Sequence, residues 1–224
     1  MRKNKIVSDH PVTPSPRHPV RAKPVVGLLG GMGSGKSQVA AEFVRRGGYL
    51  ISGDQLGHEA LCEPDIMARV VEHFGPGVVD EQGNISRRRL GVIVFADPAR
   101  RRALERLVFP WIEKRLAEEI ARAREDPNVR VIIFDAAILL EAGWDDRCDR
   151  LVYVHAPRDV RLDRLARQRG WGEKEVAARE RAQMPLADKV TRADDVIDNS
   201  GAAEEIGPQV DRLLRGWERN VSES

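Results

Sequence analysis

One stretch of the sequence has the residue types and spacing of a phosphate-binding loop. Residues 30–37 read Gly-Gly-Met-Gly-Ser-Gly-Lys-Ser, which matches the pattern G-x-x-x-x-G-K-[ST]. Its glycines allow backbone angles that a Cβ atom would forbid, so that consecutive N–H groups can turn towards phosphate oxygens. In this pattern Lys36 reaches the β- and γ-phosphates of a nucleotide, and the Ser37 hydroxyl binds Mg²⁺. Because this composition would produce the pattern by chance with a probability of only about 0.2%, a functional loop is favoured.

The elements on either side of the loop are those that such a loop requires. The apolar run Val25–Leu29 predicts a strand, and Lys36–Arg46 predicts a helix whose N-terminal dipole would face the phosphates. Four further strands are predicted from short apolar runs, at Tyr49–Ser52, Val129–Phe134, Leu151–His155 and Val196–Ile197. Helical stretches separate them, at Gln55–Phe74, Pro98–Arg124, Arg158–Arg169, Glu173–Arg181 and Glu204–Trp217. This alternation indicates an α/β fold with a parallel sheet covered on both faces.

The composition is that of a folded protein in a reducing compartment. The chain has 224 residues, 42% of them hydrophobic and 32% charged, which supplies a core and excludes global disorder. No apolar run reaches the ~18 residues of a membrane span. The two cysteines cannot build a disulfide framework. We therefore expect a cytoplasmic protein with no membrane partner, present as a monomer or a small homo-oligomer.

The first 24 residues differ from the rest of the chain. They contain five prolines and carry a net charge of +5, whereas the remaining residues carry −3. We predict a disordered basic leader at residues 1–24 and a flexible tail at residues 218–224. Because the body is slightly acidic, its charge does not indicate a nucleic-acid partner.

A phosphate loop identifies a nucleotide-binding protein but not its reaction. A GTPase needs the motif N-K-x-D to read guanine, and the only Asn-Lys pair, at residues 4 and 5, precedes the loop. A motor ATPase has an apolar strand that ends in an acid, as Val131–Asp135 does, but this body is small and slightly acidic. A small-molecule kinase is therefore favoured over the other two classes.

Several spaced motifs, in the right order, resemble those of the dephospho-CoA kinase family. The resemblance runs from about Val25 to Trp217 and includes the loop itself. The family motif D-A-D appears as S-G-D at residues 52–54, and I-x-R-x-x-L-x-x-x-V-F is present in full at residues 85–95. The motif D-x-P-L-L-x-E appears as D-A-A-I-L-L-E at residues 135–141, and the series Q-M-P…K…A-D-x-V-I-x-N-x-G is kept at residues 183–201. Two departures are Ser52 in place of an acid and Phe109 in place of a histidine.

The resemblance implies transfer of the γ-phosphoryl group of ATP, with Mg²⁺, to the ribose 3′-hydroxyl of dephospho-CoA, the last step of CoA synthesis. It implies catalytic roles for Lys36, Asp54 and Arg164, with Asp54 as the general base. The residues expected to bind ATP are Gly31, Met32, Gly33, Ser34, Gly35, Lys36, Ser37, Gln38 and Asn199. Those expected to bind the acceptor are Asp54, Arg87 and Glu141, and Mg²⁺ is assigned to Ser37 and Asp135.

Several of these side chains also have a purely structural explanation. Asp54 could instead cap the helix that follows it. Asp135 and Glu141 could be plain carboxylates at and beyond a strand end, Arg87 and Arg164 could belong to solvated charged faces, and Asn199 could form a turn. We expect the aromatic residues Phe109, Trp144 and Trp171 to pack rather than to stack on a ligand.

The resemblance also implies a layout. We expect a P-loop NTPase fold of the nucleoside monophosphate kinase type, with the kinase domain at residues 25–217 and its core at 25–54 and 127–217. Residues 55–124 would form a helical acceptor-binding subdomain. Residues 170–189 would form a lid that closes over ATP, with Arg164, Arg167 and Arg169 beside it. A kinase of another nucleoside or small alcohol, or a nucleotide-dependent switch, stays as an alternative.

Overall fold

The computed structural model describes residues 23–181 and 183–222 of the chain. Its strands are β1 (Val25–Leu29), β2 (Gly48–Ser52), β3 (Val131–Asp135), β4 (Arg150–His155) and β5 (Asp195–Asp198). All pair in parallel, in the order β2-β3-β1-β4-β5. Because β1 is central, the loop that follows it opens at the middle of the sheet's carboxyl edge. The predicted α/β class with a parallel sheet is confirmed.

Helices cover both faces of this sheet. They are α1 (Lys36–Val44), α2 (Gly53–Cys62), α3 (Pro64–Phe74), α4 (Arg87–Ala96), α5 (Pro98–Glu125), α6 (Arg158–Arg169), α7 (Glu173–Glu180), α8 (Leu186–Arg192) and α9 (Ile206–Ser222). Of these, α5, α6 and α7 match their predicted ranges within one residue. In the described part of the chain, no helix has the length and apolar character needed to cross a membrane.

Two hydrophobic clusters hold the layers together. Successive residues of a strand point to opposite faces, so Ile132 joins the cluster on the α2–α5 side, whereas Ile133 joins the cluster formed with α1 and α9. In the second cluster Phe43 of α1 stacks on Trp217 of α9, with ring centres 5.9 Å apart and planes nearly parallel. The helix that carries the phosphate-loop lysine is therefore backed by the last helix of the chain.

The prediction of one helix over Gln55–Phe74 was wrong. The structure has two helices, α2 and α3, separated at Glu63, which has an extended backbone. Pro64 is the first residue of α3, and its ring disfavours a helical conformation at the residue before it. With α4 and α5, these helices pack together beside β2, in the region predicted to bind the acceptor.

Two helices and both ends differ from the predictions. The helices α4 and α8 were not predicted, although the Ser86 hydroxyl caps α4 by accepting from Arg89 N–H. Lys23, assigned to the leader, donates to the carbonyls of Arg124 and Asp126, so it belongs to the body. The predicted tail is helical as far as Ser222, in α9. The rest of the predicted leader, residues 1–22, lies outside the described residues.

Candidate active site

The phosphate loop joins the end of β1 to the first turn of α1. Gly30, Gly33 and Gly35 have φ angles of 151°, 76° and 88°, a region that favours glycine. Gly35 is the N-cap of α1, so the free N–H groups of the first helical turn point into the space that the loop encloses. This strand–loop–helix arrangement is the one that the motif predicts, and it can hold phosphate oxygens.

Two side chains from the C-terminal half hold the loop in shape. Asn199 is only 1% exposed, and its amide donates to the Ser34 carbonyl (2.8 Å) and to Oε1 of Gln38 (3.1 Å). Arg164 donates to the carbonyls of Ser34 (3.3 Å) and Asn199 (2.9 Å). Both N–H groups of the Asn199 amide are thus used within the protein. The predicted contact between that amide and adenine stays a prediction, and it would have to use Oδ1 as an acceptor. Arg164 lies at the loop rather than on a solvated face.

We expect that replacing Gly35 by alanine will damage the loop. A Cβ atom there would lie 2.1 Å from Nδ2 of Asn199, on a backbone with a φ of 88°. The strained backbone alone costs about 1–2 kcal/mol, and the collision displaces the amide that holds Ser34. Gly35→Ala should lower both the free energy of unfolding in urea and the affinity for ATP.

The matched control is Gly57→Ala in the interior of α2. A Cβ atom at Gly57 would meet nothing within 4 Å, so this change should stabilise the helix by about 0.5–1 kcal/mol and leave ATP affinity unchanged. Equal behaviour of the two variants would contradict the role given to Gly35.

Acidic side chains face the loop from the neighbouring strands. β3 ends at Asp135, which is paired in register with Ser52 at the end of β2. Asp54 follows in the first turn of α2. Lys36, Asp54 and Asp135 all line one cleft of about 360 Å³ beside the loop. The structure therefore brings together the predicted phosphate-binding lysine, the predicted base and a predicted metal ligand.

Burial sets the charge balance of this cleft. Burial lowers the pKa of Lys36 below its ordinary value and outweighs the opposing effect of Asp135. Burial also raises the pKa of Asp135, against the effect of Lys36. Phosphate groups that enter the cleft would supply negative charge and favour the protonated lysine.

Ser52 has the capping role that was considered for Asp54. The Ser52 hydroxyl accepts from Gln55 N–H at 3.3 Å and caps α2. Asp54 lies two residues inside this helix, and its side chain is exposed to the cleft. The N-cap interpretation of Asp54 is therefore wrong.

Glu141 is bound to the segment that was predicted to be the lid. Its Oε1 lies 3.1 Å from Nζ of Lys189, which is only 3% exposed, and accepts from Met184 N–H at 2.7 Å. Glu141 and Lys189 also line a narrow space beside Gly30 and Lys36. The carboxylate thus fixes the end of the lid segment next to the loop.

Arg87 lies apart from the described residues that line the cleft. It occupies the first turn of α4 and is exposed, like its neighbours Arg88 and Arg89. Its predicted contact with the acceptor stays a prediction, because an acceptor would have to extend from the cleft to α4 to reach it.

The end of α6 and the residue that follows Gly170 add further side chains to the cleft. Gln168, Arg169 and Trp171 line it from the end of α6. The guanidinium groups of Arg169 and Arg179 lie 4.9 Å and 4.2 Å from the centre of the Trp171 ring. Trp171 was expected to be a packing residue, and its position at the cleft could not be read from sequence because it depends on how α6 ends. Phe109 and Trp144 do pack together, with ring centres 5.1 Å apart.

The donor atoms in the cleft suit a magnesium ion that is shared with a nucleotide. Ser37 and Asp135 both line the cleft and offer a hydroxyl and a carboxylate. Mg²⁺ is commonly bound by one or two protein oxygens, with phosphates and water completing its shell. Among residues 23–181 and 183–222, no cluster of three or more His, Cys, Asp or Glu side chains could hold a metal by itself. The site therefore fits a metal that arrives with its nucleotide.

Proteins of similar sequence share one description. Residues 24–205 match the family model described as dephospho-CoA kinase. A protein named dephospho-CoA kinase from Anaeromyxobacter dehalogenans is 39% identical over 192 residues, which cover 85% of this chain and 90% of that protein. A protein of the same name from Geobacillus kaustophilus is 37% identical, with 86% and 96% covered.

The fold has counterparts among solved structures. The protein TT1252 from Thermus thermophilus superposes with a TM-score of 0.76 at 34% identity, covering 88% of this chain and 98% of that one. A dephospho-CoA kinase from Campylobacter jejuni has a TM-score of 0.57 at 18% identity over 88% and 98% of the two chains, a likeness of fold. With the phosphate loop and the acids that face it, these similarities show that the chain belongs to the dephospho-CoA kinase family and is a phosphoryl-transfer enzyme.

Proposed function

We propose that this protein transfers the γ-phosphoryl group of ATP to the ribose 3′-hydroxyl of dephospho-CoA. The observation that carries the proposal is the single cleft in which Lys36 of the phosphate loop faces Asp54 and Asp135. Phosphoryl transfer needs phosphate binding, charge neutralisation and an acceptor for the hydroxyl proton. The cleft has a residue for each of these tasks.

The tasks divide among the residues as follows. The loop N–H groups hold the phosphates, apart from those of Ser34 and Gln38, which donate to the Gly31 and Gly35 carbonyls. Lys36 neutralises charge on the group that moves. Asp54 accepts the proton of the attacking hydroxyl, since its carboxylate is exposed to the cleft. Ser37 and Asp135 would hold Mg²⁺, which supplies further charge neutralisation when it is bound.

The remaining parts of the chain would bind the acceptor and close the site. We assign the acceptor to the subdomain of α2–α5 and the lid to residues 170–189. Arg164 and Arg169 both line the cleft, and we assign both to the transferred phosphate. Main-chain carbonyls hold Arg164 at the loop, and Arg169 lies against Trp171. We also propose a cytoplasmic location, which a chain with only two cysteines suits.

An ADP-release assay with Mg·ATP tests the function. We expect release that requires dephospho-CoA, with adenosine, AMP and no acceptor as controls, and a product with the mass of CoA. Release with another alcohol would contradict dephospho-CoA as the acceptor but would still support a kinase activity. Slow release without any acceptor would instead favour a nucleotide-dependent switch.

A further inference from the structure

A buried arginine makes a second link between the predicted lid and the phosphate loop. Arg161 of α6 is only 4% exposed, and its Nη1 donates both to the Met32 carbonyl (3.2 Å) and to Oε1 of Glu180 (2.6 Å). Glu180 is the last residue of α7, within the predicted lid. One nitrogen thus bridges the loop backbone and the lid.

Arg161 packs directly against the loop glycines. A Cβ atom at Gly31 would lie 2.7 Å from Nη1 of Arg161, and one at Gly33 would lie 2.6 Å from its carbonyl oxygen. The Nε of Arg161 is buried and has no hydrogen-bond partner among the described residues. Among the described residues, the hydrogen bonds of this guanidinium to Met32 and Glu180 both run through Nη1, so its position depends on these two partners.

Glu180 is well placed to hold this guanidinium. It also pairs with Arg158, at 2.7 Å, so that one carboxylate faces two arginines. Although burial acts to raise the pKa of Glu180, hydrogen bonds from Arg161 and Arg158 lower it overall, so the carboxylate stays ionised at neutral pH. Arg158 in addition lies 3.4 Å from Glu173, which is largely exposed.

We propose that Glu180 is a positioning residue for the phosphate loop, and that through Arg161 it couples the placement of lid helix α7 to the geometry of the loop. The Arg161 hydrogen bond keeps the Met32 carbonyl turned away from the phosphates, which leaves the loop N–H groups free to face them. When Glu180 is present, the buried guanidinium of Arg161 has an anionic partner and keeps its hydrogen bond to the Met32 carbonyl. This inference rests on the proposal that the cleft binds ATP.

The coupling has a direction that distinguishes it from simple charge effects. Glu180 is an anion near a site for anions, so its removal would strengthen ATP binding if only net charge mattered. A positioning role predicts the opposite, because a guanidinium without its carboxylate no longer stays at the Met32 carbonyl. The sign of the change in ATP affinity on removal of the Glu180 charge therefore separates the two explanations.

The experiment measures Mg·ATP binding to the full chain by calorimetry, together with kcat and KM. Glu180→Gln should raise the Kd for ATP about tenfold, the size of a typical coupling between sites. Its kcat at saturating ATP should change by less than about twofold, because the groups at the reacting atoms are intact. Glu180→Asp, which keeps the charge and is the second variant if the first unfolds, should stay within about threefold of the wild type.

Two controls complete the design. Glu173→Gln removes the exposed partner of Arg158 and should leave the Kd unchanged. The double variant Arg161→Gln/Glu180→Gln should bind ATP no more weakly than the single Glu180→Gln, because the two residues act as one unit. An unchanged or tighter Kd in a folded Glu180→Gln would overturn the inference, as would an equal loss in Glu173→Gln. Failure of the wild type to bind ATP would instead overturn the proposed function.

Discussion

Replacement of Lys36 by methionine is expected to lower kcat about 10³-fold, since removal of one preorganised charge-stabilising donor costs about 10²–10³ in rate. Lys36 begins α1 and lines the cleft with Asp135 and Asp54. In the proposed mechanism its ammonium group neutralises charge on the phosphoryl group that moves. Loss of that charge should affect the transition state more than the ground state, so the effect should appear in kcat before KM.

The fold should survive this change. Burial already disfavours the charged form of Lys36 and lowers its pKa. A neutral side chain of similar length therefore removes an unfavourable contribution to the stability of the fold rather than a favourable one. The measurement is dephospho-CoA-dependent ADP release together with the midpoint of urea unfolding. Lys114→Met, an exposed lysine of α5, is the matched control and should leave both unchanged. Activity near the wild-type level in Lys36→Met would contradict a catalytic role for the phosphate loop.

Asp54→Asn is expected to lower kcat by about 10²–10⁴, the contribution of a positioned general base. Asparagine is nearly isosteric but cannot take up the proton of the attacking hydroxyl. The KM for ATP should change little, because the loop that binds the phosphates is unaffected. Stability should change little as well, because the Ser52 hydroxyl caps α2.

Ser52→Ala gives the complementary result. Loss of an N-cap costs about 0.5–2 kcal/mol of stability, so this variant should unfold earlier while it keeps most of its activity. Together, Ser52→Ala and Asp54→Asn separate the effect on stability from the effect on catalysis at the N-terminus of α2. A large loss of stability in Asp54→Asn with kcat intact would rule out Asp54 as the base.

The features that sequence predicted well are local ones. The phosphate loop, the strand before it and the helix after it lie within residues 25–46, and their residue types determine their shape. Pro64 carried a further local signal that was not used, since the residue before a proline disfavours a helical conformation. The helix α4 was harder to predict, because Gly91 and the β-branched residues Val92, Ile93 and Val94 all have weak helix propensity. Tertiary packing of Leu90 and Val94 outweighs that propensity.

The features that sequence could not predict are contacts between distant residues. Asn199 meets Gln38 across 161 positions, and Arg161 meets the Met32 carbonyl across 129. Each of these side chains, read alone, is an ordinary turn or surface residue. Their roles follow from the parallel sheet, which brings the ends of β1 and β5 to the same edge, and periodicity gives no information about that pairing.

The stacking of Trp217 on Phe43 has a consequence for the synthesis of the protein. Ribosomes deliver the loop and α1 early, but the apolar face of α1 is covered by α9, and the loop is held by Asn199. Until those late residues emerge, Val39 and Phe43 stay exposed to water and the Ser34 carbonyl lacks its amide partner. Nucleotide therefore cannot stabilise the nascent chain. The enzyme acquires its binding site only after α9 has been synthesised.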